Sequence, residues 1–298
     1  MQSETEGNCD PSHCETCGDR ACPSKQPPQH ATRADAEDVR LNARLSRIRR
    51  KVIVMSGKGG VGKSTVAVNL AMSAMISGLR VGLLDVDLHG PSVPTMLGLI
   101  GKRLESGDDG MLPVEIGGLK VLSVGFLLKS QDDPVIWRGP VKMGVIRQFI
   151  EDVDWGELDL LVIDVPPGTG DEPLSVCQLI PDLDGAVIVT TPQQVAAADV
   201  RKSISFCREL GLNVIGVIEN MSGFCCPKCG DVTPILRAGG GRLMADDMGV
   251  PFLGAIPIDP LIAESGDKGH AFVESPERSP ATASLHEIMR RLVGSFQS

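Results

Sequence analysis

The residues best suited to chemistry stand together at Gly57-Lys58-Gly59-Gly60-Val61-Gly62-Lys63-Ser64, followed by Thr65. Phosphates carry dense negative charge, and a backbone binds them by turning successive N–H groups inward at the start of a helix. Gly57, Gly59, Gly60 and Gly62 allow the close approach and the positive φ that such a loop needs. Lys63 then offers a point charge to the β- and γ-phosphates, and Ser64 a hydroxyl ligand to Mg²⁺. A glycine-rich turn can match by chance, but this pattern is full length and sits between a strand-like and a helix-like segment. It predicts a P-loop that binds ATP with Mg²⁺. Lys58 is a second lysine, which cradling alone does not require.

Two acidic positions complete the expected machinery. Asp85-Val86-Asp87 ends one apolar run, and Asp164 ends another, Leu160-Leu161-Val162-Ile163. An Asp at the carboxyl end of a strand in an open α/β sheet points into the ligand crevice. Asp164 has the form of a Walker B residue that holds Mg²⁺ directly or through water. The plainer reading of either Asp is a cap on the next helix. Their spacing behind a phosphate loop favours the functional one. Pro166-Pro167-Gly168-Thr169-Gly170-Asp171 follows and has the character of a switch loop that senses the γ-phosphate.

The nine cysteines form a second kind of site. They cluster as Cys9, Cys14, Cys17 and Cys22, and again as Cys225, Cys226 and Cys229, with Cys177 and Cys207 alone. In a reducing compartment, clustered cysteines indicate metal ligands before disulfides. Cys226-Pro227-Lys228-Cys229 can hold one edge of a metal or cluster. Two ligands do not close a site, so a twofold axis that adds a second Cys226 and Cys229 would suit a bridged cluster. A thioredoxin-type dithiol and a zinc ribbon compete. The first needs a different place in the fold and the second needs more ligands. The four cysteines of the N-terminal arm can wrap a cubane cluster, with zinc as the alternative. Cys177 and Cys207 are expected to be core residues.

The elements that must position these groups alternate. Strands are expected at Lys51–Met55, Arg80–Asp85, Lys120–Val124, Asp159–Asp164, Gly185–Thr190, Asn213–Ile218 and Phe252–Ile256, with helices such as Ser64–Ser77 and Val195–Leu210 between most of them. Alternation of this kind predicts an α/β fold with a doubly wound, mostly parallel sheet flanked by helices. Residues 1–32 are expected to be a Cys-rich arm and linker, and 33–298 one nucleotide-binding domain with its cysteine loop at 225–229. Residues 34–50 suggest an amphipathic helix, and Gly98–Gly118 a loop excursion. Leu285, Ile288, Met289, Leu292, Val293 and Phe296 have helical spacing, which suits a helix packed on the domain or, less simply, one lying on a membrane.

Bulk properties narrow the partners. The net charge is −9, and aromatics are 3% with no Tyr, so nucleic acid is not expected. The first residues are polar and no apolar run is long enough to span a bilayer, so a cytoplasmic protein without stable membrane association is expected.

The segments GKGGVGKST, LLDVDLHGPSVP, Trp137–Pro140, DLLVIDVPPGTGDE, VIENMSGFCCPKCG and GAIPID resemble, in order, those of the Mrp/ApbC-type iron–sulfur cluster carrier ATPases. These belong to the deviant Walker A class of P-loop NTPases that includes MinD. The resemblance covers the chain from about Lys51 onward. It implies that Lys58 reaches across a homodimer to the partner's nucleotide and that Asp87 orients the attacking water. It implies that Asn220 and Pro257 lie at the adenine. It also implies a labile 4Fe–4S cluster on Cys226 and Cys229, handed to apo-proteins under the control of ATP. The arm is similar to that of the eukaryotic cytosolic scaffold ATPase, except that Cys9 and Cys14 here stand close together. A MinD- or ParA-like positioning protein is the alternative. Its best support is the terminal helix, and the acidic charge and the cysteine motifs weigh against it.

Overall fold

The computed structural model describes residues 33–87, 90–108, 110–127, 139–180, 182–226, 228–275 and 279–296. The arm cysteines Cys9, Cys14, Cys17 and Cys22, and Trp137, lie outside these residues. The chain divides after Asn42, and the unit Ala43–Ser298 holds every described strand. Helix α1 (Arg33–Leu45) leads into that unit. It ends five residues earlier than the expected 34–50, at a turn, and its Val39 is exposed.

The sheet is built from short aliphatic runs: β1 (Lys51–Ser56), β2 (Val81–Asp85), β6 (Leu119–Ser123), β7 (Leu160–Asp164), β8 (Gly185–Thr190), β9 (Val214–Cys225) and β11 (Phe252–Ile258). Strands β1, β2, β7 and β8 are buried along their whole length. Continuous apolar runs are what a sheet covered on both faces requires. The spatial order is β11-β9-β8-β1-β7-β2-β6, all parallel, as the alternation of elements predicts. Strand β1 is central, flanked by β7 and β8, so the crevice beyond its carboxyl end is where a ligand is expected.

The region Gly98–Gly118 is not the loop excursion its glycines and charges suggested. It holds a small hairpin, β3 (Glu105–Gly107) with β4 (Gly110–Leu112), then β5 (Val114–Ile116), which pairs antiparallel with β6 at the sheet edge. Runs of three residues are too short to show a period of two. Strand β9 also differs. It runs seven residues past the expected Ile218 and turns back into β10 (Val232–Thr233) as an antiparallel hairpin.

Helices cover the sheet. α2 (Lys63–Ile76) leaves the phosphate loop and is buried over most of its length, in keeping with its run of Ala, Val, Leu and Met. The other helices are α3 (Val93–Met96), α4 (Gly139–Glu151), α5 (Asp171–Leu179), α6 (Gln194–Glu209), α7 (Gly240–Met248), α8 (Pro260–Asp267) and α9 (Pro280–Gly294). Helix α9 starts at Ser279, whose hydroxyl accepts from the Thr282 N–H at 3.3 Å. Its Leu285, Ile288, Met289 and Leu292 are buried in the same core as α2. Burial of such side chains stabilises by roughly 1.5–3 kcal/mol each. The apolar stripe therefore faces the protein, not a membrane surface. Among the described residues no helix is long and apolar enough to cross a membrane.

Candidate nucleotide site and cysteine hairpin

β1 delivers the chain into the glycine loop and α2 takes it away. Positive φ is found at Gly60 and Gly62, both at 77°, but not at Gly57 or Gly59, so the expectation holds for two of the four. Gly57 is needed for a different reason, because a Cβ there would overlap the Asp199 backbone. At Gly62 a Cβ would also strike the Asn220 amide. At Gly59 a Cβ would meet only Pro167, at an ordinary 3.9 Å.

Lys63 is buried and its ammonium lies among acids. It is 2.6 Å from Asp164 Oδ1, 3.7 Å from Asp87 Oδ2 and 3.2 Å from Ser64 Oγ. Asp85 stands opposite Asp164 in the β2–β7 register. It accepts hydrogen bonds from the Ser123 hydroxyl at 2.7 Å and the Asp87 N–H at 3.1 Å. Burial, and then the charge of Asp164, push its carboxyl up to about 8. Burial raises Asp164 too, against the pull of Lys63. One cation thus serves three carboxyl groups. Asp164 Oδ2 is buried with no hydrogen-bond partner, which is the kind of oxygen a Mg²⁺ ion would satisfy, and the Ser64 hydroxyl bonds to the same carboxylate. The donor set therefore fits Mg²⁺.

A cavity of about 210 Å³ lies over the loop, lined by Lys58, Gly60, Lys63, Ser64, Asp87 and Pro167. It shares Gly62, Thr65 and Ser92 with a second cavity of about 490 Å³, lined by Asn220, Met221, Pro257, Ile258 and Ile262. The first has the size and lining for phosphates and the second for a base and sugar. The expected groups Lys58, Lys63, Ser64, Thr65, Asp87, Asn220 and Pro257 are thereby brought together, with Asp164 beneath them. Lys58 is half-buried, and among the described residues its ammonium has no ion-pair partner. The Asn220 amide donates to the Val61 carbonyl at 2.9 Å, which ties β9 to the phosphate loop.

The cysteines occupy the tip of the β9–β10 hairpin. Cys225 closes β9 opposite Val232 and is buried; Cys226 is half-exposed and Cys229 exposed. The turn is held by the Cys226 N–H on Asp231 O at 2.9 Å and the Gly230 N–H on Cys226 O at 2.8 Å. The backbone N–H groups of Cys229 and then Lys228, aimed at the Cys226 sulfur, lower its thiol from the ordinary value. Burial, with Asp259 next, raises Cys225. Burial pushes Cys207 up to about 12, as a core thiol behaves; Cys177, expected in the core too, is only partly buried, and its burial pushes it up to about 11. Among the described residues no three His, Cys, Asp or Glu side chains are arranged so that they alone could hold a metal ion.

Sequence reasoning did not single out Glu219, Ser123 or the wall of the larger cavity formed by Ser92, Met96 and Ile262. Glu219 is fully buried and accepts from the Gly239 and Gly241 N–H groups. The glycine run Gly239–Gly241 before a helix was the available signal, since such N-termini bind anions.

Known proteins match this geometry. The family model described as ParA, NUBPL iron-transfer P-loop NTPase, matches residues 47–293. An iron–sulfur cluster carrier protein of Methanocaldococcus jannaschii is 46% identical over 98% of this chain and 97% of its own length. One of Saccharolobus solfataricus is 49% identical over 88% and 89%. A solved nucleotide-binding protein of Archaeoglobus fulgidus, in complex with ADP, is 41% identical, with a TM-score of 0.72 over 80% of this chain and 94% of that one. The cell-division ATPase MinD of Pyrococcus furiosus, 23% identical with a TM-score of 0.60, shares the fold. With the phosphate loop, its acids and the sheet order in place, the chain belongs to the NUBPL iron-transfer P-loop NTPases of the ParA group.

Proposed function

We propose that this protein is an ATP-hydrolysing iron–sulfur cluster carrier. Two copies hold one labile 4Fe–4S cluster between their Cys226 and Cys229 pairs and deliver it to apo-proteins. The observation that carries this reading is the hairpin itself. It presents an exposed thiol and a half-exposed, thiolate-prone one in the turn that follows β9, the strand that also lines the larger cavity. Two cysteines per chain need a second copy to complete four ligands. The names of the relatives point the same way.

In this reading the Gly57–Gly62 N–H groups and Lys63 hold the phosphates, while Asn220 and Pro257 border the adenine. Ser64 and Asp164 would hold Mg²⁺, which supplies positive charge to the phosphate oxygens. Asp87 accepts a hydrogen bond from the attacking water, whose oxygen bonds to the γ-phosphorus as the bridging oxygen leaves with the β-phosphate, and the water's proton passes to the released phosphate. Lys58, unpaired in its own chain among the described residues, neutralises that leaving charge in the partner's site. Cluster transfer is ligand exchange. Recipient thiolates replace the Cys226 and Cys229 sulfurs, each departing sulfur takes up a proton, and the oxidation state of the cluster is unchanged. Cys9, Cys14, Cys17 and Cys22 hold a separate, arm-borne cluster.

Anaerobic reconstitution of the full chain tests this. The Cys226→Ala, Cys229→Ala double variant is expected to lose the iron and sulfide of one cluster per two chains and to stop activating an apo-ferredoxin. Unchanged iron, sulfide and transfer rate in the double variant would sink the proposal.

A further inference from the structure

Glu219 sits inside β9, paired with Thr190 of β8 on one side and Ala255 of β11 on the other. It is fully buried, yet among the described residues no cation pairs with it. Its charge is met by donors instead. Oε1 takes the Ser222 hydroxyl at 2.5 Å and the Gly239 N–H at 2.8 Å, and Oε2 takes the Gly241 N–H at 2.5 Å. The last two belong to the start of α7, whose dipole favours an anion there. The three glycines are shaped for this approach. Gly239 has φ 85°, a Cβ at Gly240 would overlap the Pro192 carbonyl, and one at Gly241 would come within 3.0 Å of Glu219 Oε2.

Ser222 and Gly239 are the two stems of the segment that carries Cys225, Cys226 and Cys229. A single carboxylate thus ties both stems of the cysteine loop. Its chain neighbours face the nucleotide site. Asn220 holds the Val61 carbonyl of the phosphate loop, and Met221, at φ 57°, lines the base cavity. Between Asn220, paired with Ile256, and Phe224, paired with Ile258, residues 221–223 face Pro257 alone. This bulge, with Gly223 at φ 83°, is the joint between the base cavity and the hairpin.

We propose that Glu219 is the positioning residue that couples nucleotide occupancy to the pose of the cysteine loop. A base entering the cavity presses on Met221 and Asn220. Because both loop stems hang on the adjacent carboxylate, that displacement reaches Cys226 and Cys229 as one movement. Without the tie, the bulge absorbs it. The inference rests on the proposed role of the thiol pair, but the coupling itself is readable with no cluster present.

Glu219→Gln keeps the shape and replaces one oxygen by an NH₂ group. In either orientation that group faces an N–H donor of Gly239 or Gly241. The full-length apo-protein is treated anaerobically with iodoacetamide, with and without saturating Mg-ADP or Mg-ATP, and modification of Cys226 and Cys229 is followed by peptide mass spectrometry. In the wild type, nucleotide is expected to change the Cys229 rate by at least about fivefold. In Glu219→Gln the change is expected to fall below about twofold while nucleotide affinity is retained within about threefold. Amide exchange over residues 228–241 is expected to become equally fast with and without nucleotide. Ser222→Ala, which cuts one tie only, gives an intermediate response and serves if Glu219→Gln does not fold. A purely structural role would speed alkylation equally in both nucleotide states, and that result overturns the proposal. So does a wild-type nucleotide response in Glu219→Gln, or no response in the wild type. Failure of cluster binding in the reconstitution experiment would leave this readout untouched.

Discussion

The phosphate loop and the cysteine hairpin both leave the carboxyl edge of one sheet, yet behind the first lies a buried cluster of charge while the second stands in solvent. Around Lys63, two carboxylates pair with one ammonium and a third, Asp85, lies within reach of its charge, all largely buried at the sheet end. Around Cys229 there is an exposed turn held by two backbone hydrogen bonds. The contrast suits what each is proposed to bind. Polyphosphate is recognised by a preorganised array of N–H groups in a low-dielectric site, where a cation and a fixed loop act most strongly. A cluster that is to be given away must be reachable by another protein's thiolates, so its ligands belong on a projecting turn. On the proposed reading, the first site is complete in one chain apart from the reach of Lys58, and the second is half a site.

The largest effect is expected at the buried end. The Asp85 carboxyl has its pKa raised to about 8, above the unfolded value near 3.8. Its contribution to stability is therefore full below about pH 4 and is lost as pH rises through about 8. Metal-free wild type should lose a few kcal/mol of unfolding free energy between pH 5 and 9 from this group. Asp85→Asn can keep the Asp87 N–H and Ser123 partners and should flatten the curve. Urea midpoints in EDTA measure it. Equal slopes for both proteins would mean that the charge there is already compensated, and the contrast between the two regions would weaken.

Next comes Lys63→Ala. Loss of a charged donor to the phosphates is expected to weaken ATP binding on the order of 100-fold. Cluster loading without nucleotide should not change, because Lys63 lies with the carboxylates of β2 and β7 and not with the hairpin. Fluorescent-nucleotide titration beside iron quantitation tests both halves. A parallel loss of cluster loading would show that the two regions are one site.

How much of this was legible in the sequence also divides along the same line. The phosphate loop, Asp87, Asp164 and the parallel strands could be read because local patterns dictate them: glycines before a lysine, and aliphatic runs ending in Asp. The expectation of positive φ at Gly57 and Gly59 failed because their constraint, where there is one, comes from elsewhere in the chain. Gly57 is limited by Asp199, which is far away in sequence. The extension of β9 past Ile218 was hidden by its irregular middle, where Met221 and Gly223 break the strand period. Glu219 was passed over for the same kind of reason, with the distant glycine run Gly239–Gly241 as its one signal. A single Glu in a strand gives no sign that its partners are N–H groups twenty residues on. The arm cysteines Cys9, Cys14, Cys17 and Cys22 stay with the sequence reading, outside the described residues.

The smallest effect lies within the hairpin, where neighbouring thiols should behave differently. Cys225 and Cys226 are adjacent, but Cys225 points into the fold at 5% exposure and its thiol is raised, chiefly by burial. Cys226 is half-exposed and lowered, chiefly by the Cys229 N–H. The thiolate is the nucleophile and the metal ligand alike, so the group with the lower pKa holds more of the reactive form at neutral pH. Iodoacetamide at pH 7 should therefore modify Cys226 several-fold faster than Cys225, on the order of tenfold per unit of pKa separation. Raising the pH should narrow the gap, because the thiol raised by burial gains its thiolate over a higher range of pH than the lowered one. Peptide mass spectrometry with paired light and heavy reagent measures the ratio directly. If Cys225 reacts as fast as Cys226 at pH 7, the third cysteine is an open ligand and not a packed one. The hairpin would then offer three sulfurs per chain, and a bridge built from two pairs would no longer be the simplest way to complete a cluster.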